Sequence, residues 1–181
     1  MEAATFKAAW ETGDDTLCRF KSEDMTAAGI PDDTRTFLQT AGLPTEAAPF
    51  LAFKPDDMKW LGANDKFPDL NGYLGIGSDG AGNPFVIDKG GIVWLIDHDA
   101  PSRRSYANGS VHLLAECLLG YRELVRQAIA MGGEDSVLDG RIPMDLIEAF
   151  IASVREIDPA ALDENSFWRA ELTTILANLP K

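Results

Sequence analysis

Between Tyr73 and Asp99 the chain reads YLGIGSDGAGNPFVIDKGGIVWLIDHD, three short apolar runs divided by two glycine-rich turns. Gly75 to Gly80 is a literal G-x-G-x-x-G, and Asp97 and Asp99 lie near the spacing of a ribose-binding acid. That motif holds a pyrophosphate only where the glycine turn opens a helix, whose free N–H groups and dipole face the phosphates. Here Ala81-Gly82-Asn83-Pro84 follows, and then Phe85-Val86-Ile87, a β-type run. The pattern therefore predicts a hairpin connection over Gly77–Pro84, a third strand after Lys89-Gly90-Gly91, and no nucleotide loop.

Helical patterns flank this meander. Phe6 and Trp10 stand four apart and share a helix face, Thr16–Phe20 alternates as an edge strand, and Asp32 or Asp33 caps a short helix carrying Phe37 and Leu38. Gly42 and Pro44 end that helix, and Phe50–Phe53 reads as a strand. Lys54 to Asn71, rich in Asp, Pro, Gly and Lys, is a loop over the sheet or an irregular edge. After Asp99, Ala100–Ser105 reads as a polar connection. Ser110 caps a long helix over about residues 111–131, with Leu114, Cys117, Leu118, Tyr121, Leu124, Val125 and Ala128 as its apolar stripe. Pro143 opens a second helix, buried through Ile147, Phe150, Ile151 and Val154 and ended at Asp158-Pro159; a third begins near Ser166. A helix-rich N-terminus, a meander and then three helices keep strands and helices segregated, which argues an α+β fold, with an antiparallel sheet flanked by helices in one domain spanning 1–181.

Charge narrows the partners. Twenty-nine acids against 16 bases give −13, and residues 1–100 alone hold 17 acids and 8 bases. Such a field repels nucleic acid and anionic lipid and favours basic proteins. No basic-then-apolar leader and no run of about 18 apolar residues is present, so the expected location is the cytoplasm. Cys18 and Cys117 lack metal or disulfide spacing and read as small buried hydrophobes.

Little in the chain points to catalysis. Asp97-His98-Asp99 has the composition of a metal or acid–base site, but strand alternation puts Asp97 and Asp99 on one face and His98 on the other, unless the strand ends first. A metal-dependent hydrolase centred there is the competing reading. Asp79 and Asn83 lack the ligand spacing and closing Glu of a calcium loop, and turn chemistry explains them. His112 reads as surface or half-buried, no G-x-S-x-G occurs, and Cys117 on an apolar stripe stays protonated. No cofactor, metal or catalytic set is expected. Trp94 reads as buried on its strand and Trp168 on its helix, which leaves Trp60 as the tryptophan available to a partner.

Phe37-Leu38 with Ala41-Gly42-Leu43-Pro44, then Leu74–Gly80, Phe85–Asp88, Gly91–Trp94, and the closing Phe167-Trp168-Arg169-Ala170-Glu171-Leu172 resemble, in order and spacing, the SUKH superfamily. The resemblance covers about residues 30–176 and is nearest to the fourth bacterial immunity subfamily. It implies a twisted antiparallel sheet flanked by helices and an antitoxin that binds and neutralises a cognate secreted toxin, many such toxins being nucleases. A regulatory interaction scaffold is the alternative within the superfamily. No catalytic residue carries over. Residues 56–99 hold eight acids and three bases, so Trp60, Asp79, Asp97 and Asp99 are the partner-binding candidates, and a basic toxin is the expected partner.

Overall fold

The computed structural model describes residues 1–12, 16–48, 50–54, 72–100 and 103–179. In chain order these form α1 (Ala3–Trp10), β1 (Leu17–Cys18), α2 (Ser22–Ala28), α3 (Asp32–Thr40), β2 (Leu43–Pro44), β3 (Leu74–Ser78), β4 (Pro84–Ile87), β5 (Val93–Ile96), β6 (Arg104–Asn108), α4 (Val111–Gly132), α5 (Met144–Ile157) and α6 (Phe167–Ala177). Strands β3 to β6 make an antiparallel meander in sequence order, and β1 pairs antiparallel with β2. The fold is α+β, as the order of apolar patterns implies.

Alternation along the strands sets the layers. Ile76, Phe85, Ile87 and Val93 face a large core shared with Leu114, Leu118, Tyr121, Phe150, Phe167 and Trp168 of the three C-terminal helices. Phe85 meets the Phe167 ring edge-on at 5.1 Å between centroids. Val86 and Ile96 turn the other way, into a small cluster with Tyr73 and Trp94. The N-terminal helix joins the main core through Phe6 and Trp10, as their spacing implies. Arg122 of α4 clasps its end, donating to the Trp10 and Ala9 carbonyls (2.8 and 2.6 Å) with the guanidinium over the Trp10 ring.

One buried polar cluster ties sheet to helices. Asp158, at the end of α5, accepts from the Tyr106 hydroxyl (3.1 Å), the Asn108 amide (3.0 Å) and the Gly109 backbone N–H (2.9 Å). Asn108 in turn accepts from the Trp168 indole at 2.9 Å. Burial, and then the Asp158 charge, push the Tyr106 phenol above its usual value, so it stays a donor.

The glycines of the apparent nucleotide motif serve packing instead. β3 and β4 form the expected hairpin, Ser78 opposite Pro84. On the outer side of β3, Ala52 exchanges backbone hydrogen bonds with Ser78 (3.0 and 2.8 Å). A Cβ on Gly77 would stand 2.3 Å from the Ala52 carbonyl oxygen, and one on Gly80 would stand 2.7 Å from the Phe50 Cβ. Both positions are glycine because another strand of chain crosses them.

Several expectations need correction. Phe50–Phe53 is not a strand: Ala47 and Leu51 pair across a tight turn, and only Ala52 reaches the sheet. Arg104–Asn108, read partly as connection, is strand β6; its one fully core-facing apolar residue is Ala107, too weak a pattern to signal a strand whose formation depends on pairing with β5. Trp94 is only half-buried, its indole donating to Asp88 at 2.9 Å under the Arg104 guanidinium. Pro31 takes the cap position of α3, and Asp32 and Asp33 sit in its first turn, where the helix dipole favours them. Cys18 is half-buried. The Lys54–Asn71 reading lies, beyond Lys54, outside the described residues.

Gly77→Ala is therefore expected to destabilise the fold by about 2 kcal/mol, as overpacking against backbone does. Urea denaturation checks it, and an unchanged midpoint would mean that the 52–78 bridge is not held closely.

Candidate functional site

Antiparallel pairing brings the β3–β4 turn and the β5–β6 connection to the same end of the sheet, since Ser78 pairs with Pro84 and Ile96 with Arg104. Asp79, Asp97 and Asp99 therefore gather there. Asp79 closes its own turn: Oδ1 accepts from the Ala81 and Asn83 backbone N–H groups (2.9 and 2.8 Å) and Oδ2 from the Asn83 side-chain amide (2.8 Å). Asn83 Oδ1 then accepts from the His98 backbone N–H at 3.1 Å and meets its Nδ1 at 2.8 Å. His98 Nε2 lies 3.4 Å from Asp99 Oδ1. A continuous polar chain thus links Asp79 to Asp99 across two turns.

Strand alternation does not govern the Asp97–Asp99 triplet, because β5 ends at Ile96. Asp97 Oδ1 accepts from the Asp99 and Ala100 backbone N–H groups (2.9 and 3.1 Å), an Asx turn that directs it at its own loop. His98, expected to point away from Asp99, contacts it. Asp99 is the free end of the chain, with its side chain 87% exposed. Among the described residues no group of three or more His, Cys, Asp and Glu side chains is placed to hold a metal ion. Trp60 lies outside the described residues. His112 is half-buried against Phe37, and burial pushes the Cys117 thiol up to about 12, partly opposed by the Asn108 amide.

Beside Asp79 opens a cleft of about 370 Å³ that the sequence did not reveal. Its walls are the hairpin tip, Phe50, the 137–142 loop and the outer turns of α6, and Tyr121, Ile142 and Ile175 supply much of its apolar lining. Glu171 reaches it because α6 buries Trp168, Leu172 and Ile175, and position 171 borders that stripe. Burial, and then the Asp79 charge, raise the Glu171 carboxyl above the ordinary glutamate value. The only sequence signal was the helical spacing of Glu171 from the core residues. Nothing local marks the cleft, since its walls come from five separate stretches.

A model of the SUKH-4 immunity protein family matches residues 6–174. The chain belongs to the SUKH-4 immunity protein family. The match takes in α1 as well as the stretch from residue 30, in agreement with the burial of Phe6 and Trp10 in the common core. No curated protein matches this SUKH-4 chain, and no solved structure does. Family membership gives it an immunity function against a toxin. No helix among the described residues is long and apolar enough to cross a membrane; the 22-residue α4 carries Glu116, Arg122, Glu123 and Arg126.

The Glu171 shift fixes a pH dependence. A folded carboxyl with a raised value holds its proton more tightly than the unfolded chain does. Its contribution to stability is full below the unfolded value and is lost as pH rises through the folded one. Glu171→Gln is expected to raise the melting temperature at neutral pH and flatten its decline through the mildly acidic range. A variant that melts lower than the parent at pH 7 would mean that Glu171 is favourably paired.

Proposed function

We propose that this SUKH-4 protein binds a basic toxin domain, such as a nuclease, in the cytoplasm of the producing cell and blocks its active site by occlusion. The protein performs no catalysis of its own in this reading. The carrying observation is the gathering of Asp79, Asp97 and Asp99 at one end of the sheet, with Asp79 and Asp99 joined through the Asn83–His98 link. With a net charge of −13, this end presents a field that draws in the basic groove with which a nuclease holds nucleic acid. The same field disfavours direct nucleic-acid or anionic-lipid binding. The acids have different parts: Asp79 and Asp97 build turns, whereas Asp99 is exposed and serves the field. Trp60 is the aromatic anchor proposed from the sequence.

The test is binding kinetics with the toxin domain encoded beside this gene. Association is expected to slow about tenfold from low to high salt, because exposed charges are screened beyond roughly 10 Å at 0.1 M salt. Asp99→Asn is expected to slow association severalfold with no loss of stability, and Trp60→Ala to weaken binding by about 2 kcal/mol. Absence of binding by the parent protein would overturn the immunity reading; a salt-independent rate would remove the steering.

A further inference from the structure

Exposed charges speed an encounter but hold a complex weakly, whereas binding energy concentrates where apolar side chains fill a desolvated pocket. The cleft beside Asp79 has the second character. Phe50 and Leu138 stand at its mouth, 71% and 70% exposed in a protein whose other large apolar side chains are mostly buried. It continues into a neighbouring hollow of about 530 Å³ between Ala47–Ala48 and Val137–Leu138. Phe50 is held there with a φ of 141°, in a region that a bulky residue rarely occupies, and its Cβ rests against Gly80 of the hairpin tip. In this conformation the phenyl ring faces solvent.

The charge of the lining is one-sided. Asp79 and Glu171 border the cleft and Glu46 the hollow, and no Lys, Arg or His lines either among the described residues. Glu171 is half-buried, and no hydrogen bond or ion pair reaches its carboxylate among the described residues. Its charge suffers both desolvation and repulsion from Asp79, and a cation entering the cleft relieves both. A second copy of this chain is a poor occupant, because two molecules of charge −13 would be brought together.

We propose that this cleft is the surface that holds the toxin, and that it takes a toxin segment carrying a lysine or arginine beside an apolar side chain. The cation meets Glu171 and Asp79, and the apolar group packs between Phe50 and Leu138. This rests on the immunity reading and adds the surface and the chemistry of its occupant. The acidic turns then set the rate of arrival, and the cleft sets the rate of departure.

The experiment measures association and dissociation rates for the toxin domain encoded beside this gene, with the parent protein, Phe50→Ser, Leu138→Ser, Glu171→Gln and Asp99→Asn. Phe50→Ser and Leu138→Ser are each expected to raise Kd about thirtyfold through faster dissociation, and Glu171→Gln about tenfold. Asp99→Asn is expected to change the association rate alone. Phe50 and Leu138 are exposed, so their variants are expected to keep the parent's circular dichroism. Should Phe50→Ser fail to fold, Leu138→Ser and Glu171→Gln decide the matter. Tight binding by the parent with all folded cleft variants within threefold of it would overturn the cleft assignment and leave the immunity reading standing. No binding by the parent would overturn both.

Discussion

A carboxylate that pairs with no cation among the described residues organises this fold. Asp158 is buried where α5 ends, and three donors converge on it: the Tyr106 hydroxyl, the Asn108 amide and the Gly109 backbone. Burying a charge in this way is tolerated only when hydrogen bonds replace its water. The requirement fixes β6 against the α5 terminus, and Asn108 passes the constraint on to Trp168 and so to α6. Without β6 in place the Tyr106 and Asn108 donors are withdrawn and the carboxylate is stranded. The network is therefore specific about which strand and which helices meet.

That anchoring lies at the end of the sheet where Leu74, Ile87, Val93 and Asn108 pair in turn. The acidic turns occupy the other end. Helix α6 spans the distance: Trp168 in its first turn is held by Asn108, and Glu171 and Ile175 further along wall the cleft. A rigid end and a presenting end follow from the same helix. This division suits a protein that acts by binding, since surface loops carry specificity best when a fixed scaffold positions them.

The sequence made the meander legible because glycine-rich turns and β-type runs are local signals, and the helices legible because their apolar stripes and Ser110 and Ser166 caps are local too. Strand β6 was obscure for the opposite reason: its residues are there to serve Asp158 and Trp94, contacts 50 or so residues away or across the sheet, rather than to display an alternating apolar face. The same holds for the site. Asp79, Asp97 and Asp99 stand out by composition, and hairpin connectivity brings them to one end of the sheet. The cleft has no local mark, because Phe50, Glu171 and Leu138 meet only after five separate stretches have folded. Phe50 in particular reads as a strand residue from its neighbours, and only the crossing over Gly80 turns it outward.

The most direct test of this account is backbone hydrogen exchange of the protein, alone and saturated with the toxin domain encoded beside its gene. Exchange reports local opening residue by residue, so it maps the covered surface without any substitution. New protection is expected in residues 50–52, 78–83 and 137–142 and in the outer turns of α6, with α1 and α3 unchanged. Protection confined to α1 and α3, with the cleft segments exchanging as in the free protein, would contradict it.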